Sequence, residues 1–64
     1  MANVLSALQR MRARALDDAR AFFDKYEAAL LEEKYLAADS YLKQHHIAEG
    51  RVRAFDSAIT LLTL

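Results

Sequence analysis

Ala29-Leu30-Leu31-Glu32-Glu33-Lys34-Tyr35-Leu36-Ala37-Ala38-Asp39-Ser40-Tyr41 is the stretch in which the apolar rhythm of this chain changes phase. Ahead of it, steps of four and three residues from Met1 reach Leu5, Leu8, Arg12, Ala15, Ala19, Phe22, Tyr26 and Ala29, all apolar except Arg12. Beyond it, the same step runs through Ala38, Tyr41, His45, Ala48, Val52, Phe55, Ile59 and Leu62, broken only by His45. That spacing is the stripe of an amphipathic helix, and Leu16, Phe23 and Leu30 widen the first one. The two stripes do not join in register: the first continues onto Glu33, and the second extends back onto Lys34. A slip between residues 31 and 38 is what a turn between two helices leaves. The spacing predicts an antiparallel hairpin with helices over roughly residues 3–33 and 39–62, with Asp39 or Ser40 capping the second. The rival reading is one continuous helix about 90 Å long at 1.5 Å rise per residue.

Composition agrees with helices. Pro is absent and Gly50 is the only glycine, while alanine and leucine together supply 23 residues. These are strong helix formers with little punctuation, although the chain has room to kink near Gly50. Strand-like runs with a period of two do not occur. At 64 residues, the chain forms a single helical domain, 1–64. A chain this short buries only about 60% of its surface and is marginal unless stapled or oligomerised. Cysteine is absent, so no disulfide staples it. Nine basic residues balance nine acidic ones, which removes the global positive field of a generic nucleic-acid binder. Met1 to Leu8 carries no basic residue before its apolar run, so no signal peptide is expected, and no uncharged apolar run approaches membrane-spanning length. The expected location is cytoplasmic, with no membrane partner.

Two helices share one seam and close no core. Leu8, Ala15, Phe22, Tyr26, Val52, Phe55, Ile59 and Leu62 are expected to hold that seam. Val4, Met11, Phe23, Leu30 and Leu31 on one helix, with Ile47 and Leu61 on the other, are left at its flanks. The apolar ends, Val4, Leu5 and Leu8 against Ile59, Leu61, Leu62 and Leu64, meet at the open end of the hairpin. Burying about six such side chains, at roughly 1.5–3 kcal/mol each, exceeds the usual stability of a domain this small. Exposed apolar surface of that extent marks a partner surface. Oligomerisation into a helical bundle is therefore expected, through Leu5, Leu8, Met11, Phe23, Leu30, Ile47, Gly50, Ala54, Ala58 and Leu61. Gly50, Ala54 and Ala58 recur every four residues, a small-residue groove suited to close helix approach.

Chemistry is thinly represented. His45 and Glu49 are spaced i, i+4 and His46 and Glu49 i, i+3, yet adjacent histidines point about 100° apart and zinc wants three or four ligands. No metal, cofactor or catalytic residue is expected. His45 and His46 are candidate pH-sensitive positions, because an imidazolium resists burial in an apolar seam. Glu27, Glu32 and Glu33 read as a solvated face, since the Glu-x-x-His order of carboxylate bundle sites is missing. There is no phosphate-binding loop and no nucleophile with a base at telling spacing. One protomer also looks too short to build a pocket of several hundred cubic ångströms, so no enzyme is expected. Arg10, Arg12 and Arg14 bring three positive charges to residues 1–16, whereas residues 17–33 sum to four negative charges. Arg14 is placed to pair with Asp18 inside its helix. Arg12 stands on the apolar stripe, where its stem packs and its guanidinium meets a partner acid.

Residues 41–62 resemble the C-terminal helix of small helical accessory proteins encoded by tailed bacteriophages. The likeness lies in the Tyr41-Leu42 start, the Gly50-Arg51-Val52 step and the Ile59–Leu62 end. It implies assembly, or interference by binding a larger phage or host protein, in a virion or host cytoplasm, and transfers no catalytic residue. Together the readings describe a non-enzymatic, self-associating helical hairpin. The alternative is a small regulatory binder that inhibits a host protein or holds nucleic acid through its arginines.

Overall fold

A three-residue turn reverses the chain. The computed structural model describes residues 2–64, so Met1, from which the first stripe is counted, lies outside them. Helix α1 spans Ala2–Leu31 and helix α2 spans Tyr35–Thr63; among the described residues there is no strand. Glu33 takes a left-handed backbone (φ 59°). The Lys34 N–H then donates to the Ala29 carbonyl (2.8 Å) and the Glu33 N–H to the Leu30 carbonyl (3.0 Å). These two bonds are the Schellman pattern that satisfies the last carbonyls of a helix, here without the usual glycine. The pattern ends α1 two residues before the predicted boundary at 33.

The start of α2 also differs from expectation. Lys34, not Asp39 or Ser40, is the N-cap, and no side chain caps the helix. The Lys34 carbonyl accepts from the Ala38 N–H (2.9 Å), so the residue that closes α1 opens α2. Tyr35-Leu36-Ala37-Ala38 propagates the helix from there without a side-chain acceptor. Asp39 instead pairs with Lys43 (3.0 Å), and the Ser40 hydroxyl accepts from Gln44 (3.4 Å), both one helical turn ahead. At the turn itself, Lys34 meets Glu32 (2.7 Å). The hydrogen bond and then the charge of that ammonium lower the Glu32 carboxyl below its usual range and raise Lys34 above its own.

With the turn in place, the two stripes face each other in antiparallel order. His45 of α2 reaches the Ala19 carbonyl of α1 and lies 5.1 Å, ring to ring, from Phe23, and Asp56 of α2 meets Arg12 of α1. Lys25 bridges this register, its ammonium 5.6 Å from the Phe22 ring and 5.9 Å from the Tyr41 ring. The core is made of alanine: Ala15, Ala19, Ala29, Ala38 and Ala48 are buried, and no larger side chain among the described residues is. Leu8, Phe22, Tyr26, Val52, Phe55 and Ile59 are half-buried seam residues as expected. Leu62 is not; it is exposed, close to the end of α2. α2 runs unbroken through Gly50. The product is a rod with Cα extents of 48 × 14 × 11 Å. No helix among the described residues is long and apolar enough to cross a membrane.

Candidate interaction surface

An alanine seam lets two helices approach closely but gives the larger side chains nothing to hide behind. Along one flank of the rod, Leu16 and Phe23 of α1 and Val52 of α2 line an apolar groove of about 320 Å³ floored by Ala19. Its volume reaches the range of small-molecule sites, contrary to the sequence expectation for so short a chain. The helices enclose it on two sides only, so it is a groove and not a chamber. Arg20 and Asp24 on α1, with Glu49 and Arg53 on α2, form its rim, alternating in sign. Phe23 closes one end by stacking on Tyr26 (5.7 Å between centroids) and His45 (5.1 Å). Leu30 stands one heptad beyond Phe23 on the same side of α1.

The opposite flank carries two grooves, one of about 440 Å³ and one of about 230 Å³. Met11, Arg14, Asp18, Ile47 and Arg51 line them, with Phe22 and Phe55 showing between the helices. Met11, Ile47 and Leu61 are more than half exposed. The residues expected to form one contact surface are therefore divided. Phe23 and Leu30 lie on the first flank, Met11 and Ile47 on the second, while Leu5 and Leu8 are half-buried in the seam itself. Gly50 faces outward, and a Cβ placed on it would meet nothing within 4 Å. Ala54 is exposed and Ala58 half-buried, so within the protomer this small-residue row packs no helix closely at Gly50. Sequence reasoning passed over Tyr35 and Leu36, which the early start of α2 leaves exposed beside Leu31 at the turn.

The arginines separate in the same way. Arg12 does meet an acid, but the acid is Asp56 of its own chain. Arg10 and Arg14 sit together in a groove with Ala7 and Met11. Among the described residues no ion pair joins Arg14 to Asp18; both line a groove with Arg51.

The histidines converge more than their spacing suggested. His45 is half-buried at the seam and its Nδ1 lies 2.7 Å from the Ala19 carbonyl oxygen of α1. That oxygen can only accept, so Nδ1 carries the proton and donates. The other nitrogen, Nε2, lies 3.3 Å from Glu49 Oε1, which is also 3.0 Å from His46 Nδ1. The Glu49 carboxyl is held below its usual range, chiefly by the His46 hydrogen bond; desolvation, the next effect, opposes this, and the charges of His45, His46 and Arg53 add to the lowering.

No family model, curated protein or solved structure matches the chain.

Proposed function

We propose that this chain is a non-enzymatic assembly module, a helical hairpin that completes its core against a second copy of itself. The carrying observation is its surface. A compact folded protein of 7.3 kDa exposes about 4,200 Å², whereas this rod exposes 4971 Å². The excess of about 800 Å² is what each partner buries in an interface of standard size. The alanine-only core supports the same reading, because the large apolar side chains of the seam are only half-buried and Met11, Phe23, Leu30 and Ile47 are exposed at the flanks.

The Leu16–Phe23–Leu30 flank is the assigned contact. Arg20 and Asp24 lie one turn apart on its rim. A second hairpin laid antiparallel on this flank sets each Arg20 beside the other copy's Asp24, the self-complementarity a two-fold interface requires. The product is a four-helix bundle. The likeness of residues 41–62 to phage accessory proteins fits a protein that acts by being assembled.

Light scattering over a dilution series tests this. The unaltered chain is expected at twice its monomer mass or more, and Phe23→Asp is expected at monomer mass with its helical circular dichroism retained. A folded monomer at every concentration overturns the proposal and moves the reading to a regulatory hairpin that docks on a different protein.

A further inference from the structure

We infer that His45, His46 and Glu49 form a binding site for a divalent transition-metal ion of the zinc type. The argument begins at His45. Its Nδ1 proton is committed to the Ala19 carbonyl at 2.7 Å, so a neutral ring presents the Nε2 lone pair to Glu49 Oε1 at 3.3 Å. Two acceptors then face each other with no hydrogen between them, and a cation is what the gap calls for. A proton on Nε2 satisfies that pair alone. A third atom is present, however: His46 Nδ1, 3.0 Å from the same carboxylate oxygen, donates to it without an ion and becomes a ligand once the ring carries its proton on Nε2 instead. All three donor atoms lie within 4.8 Å of one another.

The donor set is two imidazoles and a carboxylate, which suits zinc and its neighbours and leaves a fourth position open to water. The bond from His45 to a backbone carbonyl is the outer support that ligating histidines usually have, fixing both tautomer and ring plane. Tetrahedral bonds of about 2.1 Å place ligand atoms roughly 3.4 Å apart, so the widest separation here has to shorten. His46 is the side chain free to move, at 65% exposed against 16% for His45. Arg53, one turn beyond Glu49, and Arg20 across the groove are the cations that oppose the ion, and Asp24 is the further carboxylate on that rim. All three ligands belong to one chain, although His45 and Glu49 also line the groove assigned to the second copy.

The test is calorimetric titration of Zn²⁺ into the tag-free, chelator-treated chain at pH 7.5, with Co²⁺ as an optical probe of coordination. One ion per chain is expected, with Co²⁺ absorption of low-symmetry intensity and a higher melting temperature in zinc. His45→Gln keeps a donor for the Ala19 carbonyl, yet is expected to weaken binding by about tenfold or more, as are His46→Ala and Glu49→Gln. Circular dichroism confirms that each variant is folded. No binding at millimolar Zn²⁺ overturns the site, as does affinity unchanged by His45→Gln. One ion per two chains, with the mass doubling on addition, also overturns it, because the ligands then come from two copies.

Discussion

The Arg12 guanidinium on α1 binds the Asp56 carboxylate on α2, joining residues 44 positions apart through the one charged residue in the α1 stripe. Both side chains are about half exposed, so the pair is a weak source of stability and a better source of register. A slip by a heptad replaces Asp56 opposite Arg12 with Thr63 in one direction and with Glu49 in the other, so the pair selects against the first slip only. A double-mutant cycle of Arg12→Met and Asp56→Ala, read by urea unfolding, is expected to give a coupling of about 0.5 kcal/mol that shrinks with salt.

Glu33 holds a left-handed backbone where helices ordinarily end on glycine. A side chain there costs about 1 kcal/mol. Glu33→Gly is expected to raise stability by about that amount, less the greater freedom glycine has when unfolded. Glu33→Val, β-branched, is expected to lower stability; thermal melts of the three chains check the order.

Ala19 is 3% exposed in the alanine seam, and its carbonyl faces His45 of α2. Ala19→Leu is expected to cost about 1–3 kcal/mol by forcing the helices apart. The fluorescence of Tyr26 and Tyr41, both half-buried, reports the same loosening before global unfolding. An unchanged midpoint would mean that the seam is not closely packed there.

Gly50 offers the opposite test. A Cβ at this position meets nothing within 4 Å, and glycine in a helix interior costs about 1 kcal/mol relative to alanine. Gly50→Ala is expected to raise the melting temperature of the protomer. Its mass in solution, measured alongside, is expected to stay unchanged because the assigned contact lies on the Leu16–Phe23–Leu30 flank.

Acid should act through Glu49. Its carboxyl is lowered from the ordinary 4.5 by the His46 hydrogen bond. A depressed carboxylate contributes stability that is present above its unfolded pKa and is lost as pH falls through the folded one. The loss therefore falls below pH 4.5, and Glu49→Gln is expected to flatten the stability-against-pH curve there. Because Glu49 is a surface group, the effect is small and screened by salt.

Several of these features were legible in the residues alone. The two stripes, the reversal between 31 and 38 and the surplus of apolar flank residues all follow from spacing, because helical period and side-chain size are local properties. The exact turn was not legible. No glycine marks it, and the residue that turns left-handed is a glutamate whose neighbours are equally polar, so the expected cap was placed on Asp39 or Ser40 instead of the Lys34 backbone. Arg12 was readable as a stripe residue in want of an acid, but nothing in its neighbourhood identified Asp56.

The sequence by itself determined the all-α class, the two seam faces and the shortage of a closed core, since each depends on residues within a few turns of one another. Only the tertiary structure decided which flank each outward side chain joins. It divided Phe23 and Leu30 from Met11 and Ile47, and it set the Ala19 carbonyl against His45. Those outcomes depend on how one helix is rotated and shifted against the other. That choice is made by contacts between residues some 25 to 45 positions apart, here His45 with Ala19 and Arg12 with Asp56, and a periodicity within either helix carries no record of it.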